Sequence, residues 1–319
     1  MAWPPYRLME RDYLAEAKQK YERIERLYHV GHKQAWDGKQ VLKDLLAKHG
    51  GIHLDPAKKT AIAQIFSTIL WGELAAWSIS ADLALQLEDT EAKMAATIQV
   101  FDEARHFYTM RDYLLELGCE IPKLDGYTHA VLSSLLDTHR LVDKLLGMQL
   151  IVESIAVTLF KTVAQARIEP VLSDLMPYFE RDEARHVGLG VLYLPKLLAK
   201  ISPFEAARLK LLQLKIVTLI GWGTHLKTPY FVQLGIDSNE SFRRGMRLNR
   251  EVMEGLRSAE GEEPPGVLIG AASSERFNDL AVDFFFPRLG ADVPSWQRKI
   301  VSVIEGLSKV GDHALRLAA

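Results

Sequence analysis

The 319-residue chain reads as all-α, and three observations carry that reading. Apolar residues recur at three- and four-residue spacing along nearly every segment, the period of a helix with a buried face. Alternating β-branched runs bounded by turn residues are missing. Helix-start signals recur, because Asp55-Pro56 and Ser202-Pro203 each place an N-cap before a proline at the first helical position.

The elements follow in order. The spacing predicts a long helix over 11–48, ended by Gly50-Gly51, and a second over 56–88 behind its Asp-Pro start. A third runs over 90–118 and stops before Ile121-Pro122 to Asp125-Gly126. A short helix near 128–137 leads into 138–168, which Pro170 separates from 170–200. Helices over 203–228, 239–259 and 293–315 complete the chain. The polar segment 257–276 reads as a long surface loop, since the ~45 residues beyond it are too few for an independent core. The expectation is one domain, 1–319: a four-helix bundle within 56–200, with flanking helices over 11–48 and 203–315 wrapped around it.

Composition narrows the function classes. Hydrophobic residues make up 48% and charged residues 25%, and 39 Lys and Arg against 41 Asp and Glu leave −2. That balance offers no basic surplus for phosphate contacts, so no nucleic-acid partner is expected. A single cysteine, Cys119, excludes an internal disulfide or a thiolate metal cage and suits a reducing, cytoplasmic setting. The N-terminus is charged from Arg7 onward, unlike a secretory signal. Lys210, Lys215 and His225 interrupt one apolar stretch and Glu153 another, so no membrane span is expected.

The chemistry lies in an internal repeat at an offset of 80 residues. FDEARHFYTMRDYL (101–114) matches RDEARHVGLGVLYL (181–194), and at the same offset Glu73 matches Glu153, each 30 residues before its Glu-x-x-His. Residues three apart share a helix face, so Glu103 points with His106 and Glu183 with His186. One Glu from each of two helices, plus Glu-x-x-His from each of two more, is the ligand pattern of dinuclear carboxylate bundles. Glu153 sits in LLGMQLIVESIAVTLF, apolar on every face, where a carboxylate needs a cation. Two divalent ions carry +4 and four glutamates −4, so such a site is neutral. Oxygen and imidazole donors suit iron or manganese.

At these residues, over about 56–200, the chain resembles the ferritin-like superfamily, specifically its dinuclear carboxylate oxidases and oxygenases. These include the ribonucleotide reductase small subunit, its ligand-binding oxidase relatives and the hydroxylase subunits of bacterial multicomponent monooxygenases. The resemblance implies a ferritin-like bundle holding two iron ions, or one iron and one manganese, with O2 as co-substrate. It makes Glu73, Glu103, His106, Glu153, Glu183 and His186 the ligands. It also implies that Asp102 and Asp182 accept the remaining imidazole N–H groups and that Arg105 and Arg185 pair with those aspartates; ordinary helix-surface charge is the other reading of the arginines. An electron-donor protein or other reductant and a homodimer are further expectations.

Two departures weigh against a reductase. One turn after His106, where those subunits place a radical-forming tyrosine, stands Met110, and the C-terminus lacks their tyrosine-containing tail. Trp36 resembles their electron-relay tryptophan but is read as core or interface packing. Tyr108, Tyr113 and Tyr193 are candidate redox groups, with hydrogen-bonded core tyrosines as the reading preferred for the last two. Helical spacing nominates Trp77, Phe107, Met110, Gln149, Val157 and Phe179 as a substrate pocket, with Ile69 and Val187 also one turn from a ligand. Glu180, three residues before Glu183, either adds a carboxylate or lies on the surface. Function is expected to be O2-dependent oxidation of a small apolar or aromatic molecule. Ferritin-type iron storage, a radical protein like the reductase subunit, and a metal-free interaction protein stay as alternatives.

Overall fold

The computed structural model describes residues 21–258 together with positions 284, 295, 296, 298 and 299. Apart from positions 295, 296, 298 and 299, the expected helix over 293–315 lies outside the described residues, as do residues 11–20 of the first helix and all but the start of the loop over 257–276. The described elements are α1 (Glu22–Lys33), α2 (Gly38–His49), α3 (Pro56–Gln86), α4 (Thr90–Glu116) and α5 (Gly126–Leu136). They continue as α6 (Leu141–Ala166), α7 (Pro170–Leu198), α8 (Pro203–Leu226), α9 (Thr228–Gln233) and α10 (Ser238–Ser258).

Caps explain the boundaries. Asp55 accepts from Lys58 N with Pro56 behind it, Glu169 accepts from Val171 N and Leu172 N ahead of Pro170, and Ser202 with Glu205 forms a reciprocal capping box. The helix expected over 11–48 is instead divided at 34–37. Asp37 accepts from Gln40 N and starts α2, and a Cβ on Gly38 would stand 1.9 Å from Thr109 Oγ1, so the chain passes too close to α4 for any other residue. Trp36 lies in that break.

Helices α3, α4, α6 and α7 form the bundle: α3 packs on α4, α6 on α7, and α4 meets α7 directly. Helices α1 and α2 cover α4 and α7, α10 covers α6 and α7, and α5, α8 and α9 close the side where α3 and α6 face each other. The apolar core is in two parts. One holds Ile79, Leu83, Ala92, Ala96, Leu146 and Leu194; the other holds Ile62, Phe66, Leu114, Phe160, Leu172 and Phe179. Every candidate ligand falls between these clusters along its own helix.

By length and composition α3 and α6 are apolar enough to cross a membrane; Glu153, expected to interrupt the apolar stretch of α6, does not disqualify it, and α3 is a second such helix. The bundle gives the same pattern a different cause: both are core helices, buried over 56% and 67% of their apolar windows.

α6 contains a feature with no signal in the sequence. Residues Leu145–Val152 form a π-helix, which ends at Glu153. The matching residues 65–72 of α3 are ordinary α-helix.

Candidate metal centre

The six candidate ligands converge. Donor atoms of Glu73, Glu103, His106 and Glu183 lie within 4.8 Å of one another, and so do those of Glu103, Glu153, Glu183 and His186. Glu103 and Glu183 belong to both groups, so the cluster consists of two half-sites joined by two carboxylates. Glu183 turns Oε1 to His106 Nδ1 at 2.9 Å and Oε2 to His186 Nδ1 at 2.8 Å. Glu103 turns Oε1 to His186 Nδ1 at 3.1 Å and Oε2 to His106 Nδ1 at 3.7 Å. None of the six is more than 5% exposed, which makes uncompensated charge there costly.

Three of the donor atoms are left unsatisfied by their neighbours. Glu103 Oε2, His106 Nδ1 and Glu183 Oε1 are buried without a hydrogen-bond partner, although His106 Nδ1 and Glu183 Oε1 are within contact distance. Lone pairs gathered without hydrogen-bond alignment fit cations at the shared centres, and the donor set is oxygen with imidazole, suited to iron or manganese. The cluster is able to hold two metal ions.

Electrostatics agree with that fit. Burial and the neighbouring Glu183 push the Glu73 and Glu153 carboxyls well up from the usual range. Burial also acts against Glu103 and Glu183, but the adjacent imidazoles outweigh it and hold both carboxyls down. The imidazoles are held well above their ordinary range, because carboxylates on both sides overcome the penalty of burying charge. The raised imidazoles and raised outer carboxyls mark a cluster whose negative charge calls for compensation, the role that bound cations would take.

A second ring surrounds the first. His106 Nε2 faces Asp182 Oδ2 at 3.2 Å and His186 Nε2 faces Asp102 Oδ2 at 3.4 Å, so each imidazole is held by the aspartate of the opposite helix. Arg105 donates to Asp102 and, at 2.7 Å, to Asp182. Arg185 donates to Asp102 at 2.9 Å and to Asp182 at 2.7 Å. Two aspartates and two arginines cancel in charge, while the carboxylates fix the imidazole tautomers with Nδ1 turned inward. Trp36 Nε1 adds a 2.7 Å bond to Asp182 and packs on Tyr178 and Phe179, so its position combines packing with a hydrogen-bonded line to His106.

The remaining nominated residues scatter. Tyr113 donates to Glu169, Tyr193 to Asp89, and the Tyr108 hydroxyl accepts from Gly38 N. Glu180 pairs with Lys161 at 3.3 Å on the partly exposed side of α7, away from the cluster.

A cavity of about 150 Å³ opens beside Glu73 and Glu153. Ile65, Ile69, Gly72 and Ala76 of α3 form one wall, Met148, Val152, Ala156 and Leu159 of α6 another, and Leu219, Ile220 and Gly223 of α8 close it. Besides the two glutamates, Thr68, Thr128, Thr224 and Lys227 are its polar members, with Lys227 paired to Asp125.

None of the six residues nominated as a substrate pocket lines this cavity, and among the site-facing candidates only Ile69 does. Trp77 is half-exposed against Phe107, Met110 and Phe179 are sealed in the core, Val157 is buried, and Gln149 bonds Gln99. Spacing of one turn marks both flanks of a ligand helix, and the flank facing α8 was invisible without the tertiary arrangement. Gln99 was missed as well: its amide donates to Glu103 Oε1 at 2.9 Å and reaches Glu153 Oε1 at 3.5 Å. The clue available was a break in the repeat, since the residue 80 positions on is Phe179.

No protein-family model matches the chain, and no curated protein sequence is significantly similar to it. Solved structures do match. An aldehyde deformylating oxidase from Synechococcus is 17% identical, covering 70% of this chain and 96% of its own, with a TM-score of 0.57. A variant of an R2-like ligand-binding oxidase with an aerobically reconstituted Mn/Fe cofactor is 16% identical, covering 73% and 93%, with a TM-score of 0.58. A further R2-like ligand-binding oxidase, titled as reconstituted with a metal cofactor and photoconverted, is 15% identical over 73% and 92%, at 0.56. At these identities the likeness establishes architecture: the chain has the ferritin-like helical-bundle fold.

Proposed function

We propose that this chain is a dinuclear-metal, O2-activating oxidoreductase acting on a small apolar molecule. The observation that carries the reading is the cavity of about 150 Å³ whose wall includes both Glu73 and Glu153. An apolar cavity of that volume holds a molecule about the size of benzene. When bound, two iron ions, or one iron and one manganese, supply the reduction of O2.

The chain's own residues supply the rest. Glu103 and Glu183 join the half-sites, and Glu73 and Glu153 complete them at the cavity edge. Asp102 and Asp182 hold the imidazole Nε2–H groups, so both Nδ1 atoms stay available to metal. Arg105 and Arg185 balance those aspartates and keep the interior neutral. The largely aliphatic walls from α3, α6 and α8 offer an apolar substrate a surface to bury against. The likeness to two kinds of structure titled as oxidases supports this reading over storage.

A radical-forming role like that of the reductase small subunit is favoured by one observation, the Trp36–Asp182–His106 line. Against it, Met110 stands one turn after His106 and the Tyr113 hydroxyl is engaged by Glu169.

Anaerobic Fe(II) loading followed by O2 exposure separates these readings. The proposal expects two metals per chain, a transient optical band, and oxidation of benzene-sized apolar molecules in preference to long chains. Many metals per chain indicate storage, a persistent tyrosyl signal indicates the radical protein, and no metal uptake overturns all three.

A further inference from the structure

The two half-sites share ligand types but not surroundings. Gln99 Nε2 lies 2.9 Å from Glu103 Oε1 and 3.5 Å from Glu153 Oε1. Both oxygens belong to the Glu153/His186 half, because Glu103 Oε1 faces His186 while its Oε2 faces His106. Gln149 Nε2 donates in turn to Gln99 Oε1 at 3.3 Å, so the amide that grips the carboxylates is itself held. Both glutamines are essentially fully buried.

The 80-residue repeat provides the control. The counterparts of Gln99 and Gln149 are Phe179 and Ile69, so the Glu73/His106 half has no amide there. Phe179 instead stacks on His106 with ring centroids 4.6 Å apart. Gln149 is carried by the π-helix that the first half lacks, and Gln149 Oε1 is buried without a partner. A buried amide with an unmet acceptor is costly to keep for packing alone.

We propose that Gln99, braced by Gln149, is a positioning residue for the Glu153/His186 half, whose two carboxylate oxygens it grips, and that the pair makes the two metal positions unequal in affinity. It acts by holding the two carboxylate oxygens of that half in ligating orientation. The inference rests on the reading of the cluster as a dinuclear centre.

The test is a titration of the full chain with Mn2+ alone, following free aquo-Mn2+ by EPR. Wild type takes up two ions per chain. In Gln99→Met, nearly isosteric but without the amide, one step weakens by about 10–100-fold, the usual cost of removing such a support, and the other stays within about threefold. The loss appears in a Glu73→Ala background, which retains the affected half, and is absent in Glu153→Ala. A loss of packing or folding stability weakens both steps together, and that result, or no weakening of either, overturns the inference. If Gln99→Met does not fold, Gln149→Met retains the gripping amide and is expected to weaken the same step by a smaller factor; equal shifts of both steps again overturn it. Failure of wild type to take up two Mn2+ refutes the dinuclear reading itself, a different outcome from equal shifts in the variants.

Discussion

The first and second halves of this bundle each contribute the same three ligands, a Glu and a Glu-x-x-His, at an offset of 80 residues, yet differ in what stands behind them. Behind Glu73 and His106 are Ile69, Phe179 and a regular α3; behind Glu153 and His186 are Gln149, Gln99 and a π-helical stretch of α6. The difference extends to packing. Met110 of the first half is fully buried, whereas its counterpart is Gly190, where a Cβ would lie 2.6 Å from Leu150 Cδ2 and 2.8 Å from Gln149 Cβ. Removing a side chain on α7 thus makes room for the wider π turn and its glutamine. Duplication preserves ligand geometry because buried charge punishes its loss, while the wall behind the ligands is free to diverge.

The largest break in this comparison comes from the shared carboxylates. Glu183→Ala or Glu103→Ala removes a donor from both halves and is expected to abolish metal loading at both. Glu73→Ala or Glu153→Ala is expected to leave about one metal per chain, since each belongs to one half. Metal analysis after gel filtration reads the stoichiometry; one retained ion in Glu183→Ala would falsify the bridging geometry.

Next in size is the arginine pair. Arg105 is 2% exposed, donates to both aspartates and lies over the Trp36 ring at 4.9 Å, while Arg185 is 8% exposed and also reaches Gln34 Oε1. Arg105→Met leaves two buried carboxylates undercompensated and is expected to cost about 3–5 kcal/mol in chemical denaturation. Arg185→Met, nearer solvent, is expected to cost less, and an equal loss would show that the two halves of the ring are equivalent in energy.

Packing changes of opposite sense follow. Met110→Ala opens a cavity in the first half and is expected to cost about 2–5 kcal/mol. Gly190→Ala overfills the second half at about 1–3 kcal/mol and displaces Leu150 and Gln149. The sharper readout is specificity, as only Gly190→Ala should disturb metal uptake at the Glu153/His186 half.

These contrasts also define what could be read in the sequence. Long helices, their N-caps and the convergence of six side chains followed from spacing, because a 3.6-residue period and a repeated Glu-x-x-His are local features. The break at 34–37 was hidden, since the Asp37-Gly38 start signal lies inside an otherwise helical pattern and Gly38 is required by the distant Thr109. The π-helix was hidden because LLGMQLIV fits either helix type. The cavity was hidden because its walls are set by which flank of α3 and α6 meets α8, a property of three helices together. Gln99 was legible only as an exception to the repeat.

The smallest expected effect lies at the two hairpin corners. Between α3 and α4, Asp89 accepts from Tyr193 Oη at 2.7 Å and Lys196 Nζ at 2.5 Å. Between α6 and α7, the chain turns through Arg167, a non-glycine residue at φ 50°, whose guanidinium reaches Asp174 at 2.5 Å; Lys48 and His49 bond the same carboxylate at 2.7 and 2.8 Å. The Lys48 bond, the largest effect, outweighs the opposing effect of burial and, with His49 and Arg167 adding to it, holds the Asp174 carboxyl well below the usual range. A lowered folded-state pKa means the contribution is complete above the unfolded value of about 3.9 and is lost as pH falls through the folded one. Lys48 and Arg167 are more than half exposed, so solvent screening limits the gain to about 1 kcal/mol or less. Asp174→Asn is therefore expected to lower the thermal midpoint by a few degrees near neutral pH, with the gap to wild type narrowing below about pH 4. A gap that widens in acid would mean that the corner is stabilised by the neutral carboxyl, and that the strained Arg167 turn draws its support from packing.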